Sequence, residues 1–180
     1  MLTYAEWKLN EEKQKQVYEY GCSMAYFDSN EIPRLQKLID NDDVYTEEGE
    51  SSYGLESEHH VTLLYGLHHD KINEEKILKT SSDGLEVITL HNPSLFKSEK
   101  YEVLKFDTDS DKLYEINKKL SKMPHTSTFD YHPHSTIGYL KPGCGQKYVN
   151  KFKDATEQVT PNQIVYTRPD GTRATCAVKV

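Results

Sequence analysis

His60-Val61-Thr62-Leu63-Leu64-Tyr65 returns later in the chain as His134-Ser135-Thr136-Ile137-Gly138-Tyr139. Both stretches read His-x-Thr-aliphatic-x-Tyr, and both fall at the start of an apolar run that reads as a strand. Chance alone supplies about 0.6 His-x-Thr matches in a chain of this composition, so one copy carries little. Two copies with the same aliphatic and Tyr behind them carry much more.

Side chains alternate along a strand, so His60 and Thr62 share a face, as do His134 and Thr136. Leu63 and Tyr65 are expected on the opposite face, as are Ile137 and Tyr139. Each strand then buries one face and shows a His and a Thr to a cleft. Two such strands facing each other supply two imidazoles and two hydroxyls. Imidazole titrates near neutral pH, so one ring can act as base while the other acts as acid. The hydroxyls can donate hydrogen bonds to phosphoryl oxygens. The plainer alternative, two histidines at a core edge beside ordinary strand threonines, suits either motif alone better than the pair.

Outward from these strands, Tyr20 to Phe27 reads as a strand closed by Asp28-Ser29-Asn30. Pro33 suits the first turn of a following helix, where its missing N–H costs nothing. Residues 40–58 are acidic and polar and read as a long loop, a candidate lid. Asn73 is a candidate cap for a helix over Asn73 to Lys79. Leu85 to Leu90 and Tyr101 to Phe106 read as strands around a turn at Asn92-Pro93-Ser94. Ser110 to Lys122 reads as a helix with Leu113, Ile116 and Leu120 on one stripe. Pro124 to Pro133 is a second polar loop. Pro142-Gly143-Cys144-Gly145 leads into a short helix, and Pro169-Asp170-Gly171 marks a terminal hairpin. Residues 4–19 read as an exposed helix, with 1–17 an extension to a single domain. The order predicts an α/β or α+β fold, not a bundle or a sandwich.

The chain has 180 residues, 36% hydrophobic and 28% charged, which suffices for a modest core. Its formal net charge is -7. That argues against a protein that coats long nucleic acid, because such affinity comes from cationic neutralisation of phosphates. A small anionic ligand in one cleft is compatible with it. No apolar run approaches the ~18 residues that span a bilayer, and the N-terminal stretch lacks a signal-peptide core. Cys22, Cys144 and Cys176 form no CxxC pair, so neither a disulfide framework nor a zinc knuckle is expected. The expectation is a cytoplasmic protein with no membrane association, no cofactor, no metal and no obligate protein partner.

The paired His-x-Thr strands resemble the 2H phosphoesterase superfamily. Tyr18-Glu19-Tyr20-Gly21-Cys22-Ser23-Met24, the run from Gly54 through His60 to His68, and Tyr131-His132-Pro133-His134-Ser135-Thr136-Ile137 look like the phage anti-CBASS protein 1 family. The resemblance spans roughly residues 18–178. It implies a bilobed fold, two sheet-plus-helix lobes around a central cleft. It also implies metal-independent cleavage of the 3′–5′ bonds of cyclic oligonucleotides, in the host cytoplasm if the chain is phage-encoded. By that resemblance His60, Thr62, His134 and Thr136 are the catalytic set. A 2H enzyme acting on linear RNA ends and a protein that only sequesters its ligand are the alternatives.

Among the remaining candidates, Tyr26 is placed to stack a base or to fill the core. Arg168 and Arg173 flank the terminal hairpin, and Arg suits bidentate phosphate contacts and base stacking. Tyr166, two residues before Arg168, would share its face, which makes Tyr26, Tyr166 and Arg168 the expected substrate-binding residues. His59 has the opposite parity to His60 and is expected to point away from the cleft. His68-His69-Asp70 reads as a solvated turn. His132 is a candidate to orient His134. The Gly143–Lys147 turn weakly resembles a phosphate cradle.

Overall fold

The computed structural model describes residues 20–178. The helix expected over residues 4–19 lies outside the described residues. The chain forms β1 (Tyr20–Phe27), α1 (Glu31–Gln36), β2 (His60–His68), α2 (Glu74–Ser82), β3 (Ile88–Lys97), β4 (Glu102–Asp109), α3 (Asp111–Leu120) and β5 (His134–Leu140). It continues through α4 (Gly145–Phe152), β6 (Glu157–Val159), β7 (Pro161–Thr167) and β8 (Arg173–Ala177).

Two four-stranded antiparallel sheets result, in the orders β2-β1-β7-β8 and β5-β4-β3-β6. Helices α2 and α3 pack on the first sheet, and α1 and α4 on the second. Each sheet with its helices makes one lobe of an α+β fold. Both His-x-Thr strands, β2 and β5, are edge strands, and they lie against each other. The lobes therefore meet where the motifs are. The main core cluster draws on both sheets, from Ala25, Val61 and Ile164 to Leu104, Phe106 and Ile137.

The capping and stripe expectations match the structure. Asn73 accepts a hydrogen bond from Lys76 N at 3.2 Å. Leu113, Ile116 and Leu120 are all fully buried. One expectation needs correction: Asn92-Pro93-Ser94 is not a turn. Asn92 has φ 47° and sits at a bulge inside β3, and the reversal comes at residues 98–101. A left-handed Asn and a Pro are turn signals in sequence, but a bulge accepts both. β6 pairs β3 only over Ile88–Leu90, so Pro93 stands beyond the reach of that ladder.

The loop from residue 40 to 58 is not a free flap. Tyr45 N donates to Tyr139 O (2.9 Å), Tyr139 N to Gly54 O (2.8 Å) and Glu56 N to Ile137 O (3.1 Å). The loop thus satisfies the outer edge of β5. Tyr53 joins Tyr101, Val103 and Tyr139 in a second apolar cluster, with Tyr45 packed against it.

Candidate active site

Each motif histidine is fixed by the same contact. His60 Nδ1 lies 2.6 Å from Glu58 O, and His134 Nδ1 lies 2.9 Å from His132 O. A carbonyl can only accept, so Nδ1 carries the proton in both rings. Nε2 is then the nitrogen that takes up or gives a proton in the cleft. The orienting role expected for His132 is thus filled by its backbone carbonyl.

The strand pairing repeats as well. In β2 the register with β1 slips by one residue at Leu63, directly after Thr62. In β5 the register with β4 slips by one residue at Ile137, directly after Thr136. Each bulge leaves His and Thr on one face and turns the strand beyond them, as bulges beside functional sites do. Leu63 and Ile137 are buried in the core as expected. The two tyrosines lie on the other face, because the slip reverses their parity. Tyr65 lines the cleft pocket, and Tyr139 packs with Tyr53, Tyr101 and Val103.

A pocket of about 400 Å³ opens between the lobes. Thr62, Leu64, Phe96, Phe129, Tyr131 and His134 are among its lining residues. Tyr131 O–H donates to Thr62 O at 2.9 Å. Two adjacent residues of the 124–133 loop, Tyr131 and His132, therefore bind one motif each. Nothing in the loop's polar composition signalled that. Thr136 is buried and His134 is half-buried, facing the Phe96 ring edge-on at 4.9 Å. Burial pushes the His134 imidazole down to about 4, and the nearby positive charge of Lys105 adds to the shift.

Tyr26 is brought to the site. It pairs with His60 across the sheet and stacks on its ring at 5.1 Å and 20°. Burial pushes its phenol up to about 12. Tyr166 and Arg168 are not brought there. Tyr166 is fully buried, bonded to His69 Nδ1 at 3.1 Å, and Arg168 pairs bidentately with Glu74 of α2 at 2.7 and 2.9 Å. They do share a face, but it is the helix-covered one, as the parity of β7 dictates. The guanidinium on the cleft side is Arg173, 5.9 Å over the Tyr26 ring and held by Glu58 at 2.8 Å through both nitrogens.

Two of the remaining candidates find ordinary partners. His69 packs on Tyr166. The Gly143–Lys147 turn holds the Glu102 carboxylate, which accepts from Gly145 N at 2.7 Å, so that helix start is occupied from within. Among the described residues, no group of three or more His, Cys, Asp or Glu is arranged to hold a metal ion. Among the described residues, no helix is long and apolar enough to cross a membrane.

No protein-family model and no curated protein sequence matches the chain. Among solved structures it is similar to Kluyveromyces marxianus Usb1, with a TM-score of 0.52 and 8% identity over 91% of this chain and 99% of that one. It is also similar to Kluyveromyces marxianus Usb1 with uridine monophosphate, with a TM-score of 0.55 and 9% identity over the same shares. At such identities the likeness speaks for the fold alone. The chain shares its mixed α+β fold of two antiparallel sheets with these structures.

Proposed function

We propose that the chain is a phosphodiesterase that opens the 3′–5′ bonds of cyclic oligonucleotides by acid–base catalysis between His60 and His134. The observation that carries this reading is the meeting of two edge strands, each with a His-x-Thr whose Nδ1 is held by a carbonyl two residues upstream. A ribose 2′ oxygen attacks the neighbouring phosphorus and loses its proton to one imidazole Nε2. The bond from phosphorus to the 5′ oxygen breaks, and the other imidazolium protonates that oxygen. Thr62 and Thr136 hold the phosphoryl oxygens in line. The product is a linear chain ending in a 2′,3′-cyclic phosphate, which water can open with the histidine roles reversed.

His134 fits the base, because its burial keeps it neutral at pH 7. His60 is then the acid. The cyclic substrate is supported by the anti-CBASS resemblance, under which the activity would counter bacterial CBASS antiphage immunity. The net charge of -7 also suits a compact ligand better than a long polyanion.

A second reading, action on the ends of linear RNA, is favoured by the fold neighbour solved with uridine monophosphate. Product analysis on cyclic di- and trinucleotides beside RNA oligonucleotides, with and without EDTA, separates them. Linear products with 2′,3′-cyclic phosphate ends, formed equally in EDTA, are expected from the cyclic substrates. Cleavage of linear RNA alone would overturn the cyclic reading. Recovery of intact cyclic ligand from a denatured complex would make the protein a sequestering one.

A further inference from the structure

The second motif has a charged counterpart on the neighbouring strand. Register places Lys105 opposite Thr136 and Asp107 opposite His134. Lys105-Phe106-Asp107 therefore runs beside His134-Ser135-Thr136 with the same alternation, Phe106 going to the core and both charges to the cleft face. Lys105 is only 6% exposed, an unusual position for a lysine. Its ammonium donates to Ser94 Oγ at 2.7 Å and to the Asp107 carboxylate, and stands 4.4 Å from the centre of the Phe96 ring. That ring is the one His134 faces.

Asp107 is bound from three sides. Besides Lys105 it accepts from Ser94 Oγ (3.0 Å) and Asn92 Nδ2 (2.5 Å). Burial alone would push its carboxyl up, but Lys105, Ser94 and Asn92 together hold it below the ordinary value. The β3 bulge that brings Asn92 to this carboxylate is the one that sequence reading takes for a turn. A lysine buried in an ion pair is not needed for packing here, since an apolar residue of similar volume serves as well or better.

We propose that Lys105 is a positioning residue for the reaction, its ammonium held by Asp107 and Ser94 against Phe96, opposite Thr136, so that its positive charge acts on His134. This rests on the acid–base reading above. Other charged or titratable groups face His134 too: His60 from β2, and His132 and Asp130 from the preceding loop. Lys105 and Asp107 act on it with opposite signs. The ammonium opposes a proton on His134 and the carboxylate favours one.

The test is an NMR titration of His134 together with the pH profile of kcat/KM, in the full chain and in Lys105→Met, Lys105→Arg and Asp107→Asn. Lys105→Met is expected to raise the His134 titration point and the acid limb of the profile by on the order of one pH unit. Lys105→Arg keeps the charge and should hold both near their original values. Asp107→Asn should leave His134 titrating at or below its original point. A network that only packed the cleft would, when loosened by either Lys105→Met or Asp107→Asn, let in water and raise His134 in both. That outcome, or an unmoved titration in Lys105→Met, overturns the proposal. If Lys105→Met does not fold, Asp107→Asn decides alone: a titration point no higher than the original supports the proposal and a higher one overturns it. The titration needs no turnover, so failure here is distinct from failure of the catalytic reading, which would appear as no cleavage by the unaltered chain.

Discussion

His134 links the chemistry of the site to the stability of the fold. Its imidazole is held at about 4 by burial, against about 6.5 in an unfolded chain. The folded state therefore takes up its proton later than the unfolded state as pH falls. Stability is unaffected above about pH 6.5 and drops as pH falls from there through about 4, by up to ~3 kcal/mol. His59 is also lowered by burial and adds a loss of the same sign. In His134→Gln the acid-induced loss should shrink, and urea midpoints measured from pH 7 to pH 4.5 check it. An equal drop in the variant and the unaltered chain would show that His134 is more hydrated than its surroundings imply. Both histidines stood out in the sequence through a repeated spacing. That the His134 imidazole is held down did not, since that depends on burial against Phe96, on Lys105 and on other groups remote in sequence or contributed by backbone.

Elements were legible where periodicity marked them. The strand over Tyr20–Phe27 and the stripe of α3 needed only local pattern. The 40–58 loop was different, because its pairing with β5 uses backbone groups that leave no trace in side-chain pattern. Gly138 is where that pairing depends on a side chain that is not there. A Cβ at Gly138 would lie 2.8 Å from Leu55 Cδ2, 3.2 Å from Gly54 O and 3.3 Å from Leu55 Cα. The backbone atoms cannot swing aside as a flexible side-chain tip can. Gly138→Ala should therefore lift the Gly54–Leu55 segment off β5 and cost about 1–3 kcal/mol. Thermal unfolding measures the cost, and amide exchange at Tyr139, whose N–H donates to Gly54 O, should quicken selectively. Unchanged protection at Tyr139 would mean that the loop shifts as a body and stays paired. The misplaced turn at Asn92-Pro93-Ser94 has a related cause: a bulge and a turn call for the same residues, and only pairing on both sides of the bulge tells them apart.

At the scale of the whole molecule, the site belongs to neither lobe. His60, Thr62 and Tyr26 come from one sheet, and His134, Thr136 and Lys105 from the other. The edge strands β2 and β5 meet, and the 131–132 segment ties to both, Tyr131 to Thr62 O and the His132 carbonyl to His134 Nδ1. Under the proposed mechanism, acid and base would be held by one frame and act on one phosphodiester in a single transfer. General acid–base steps each contribute roughly 100- to 10,000-fold, so His60→Ala and His134→Ala should each cost about that much in kcat. Groups that act as a unit do not add, so the double variant should be scarcely slower than the slower single one. Thr62→Ala and Thr136→Ala should cost less, since each removes a phosphate contact and keeps the proton path. Single-turnover rates on a cyclic dinucleotide make the comparison, with circular dichroism confirming the fold. Losses that multiplied in the double variant would mean that the two lobes contribute independently, and near-normal turnover in folded His134→Ala would mean that the proton path avoids the second motif altogether.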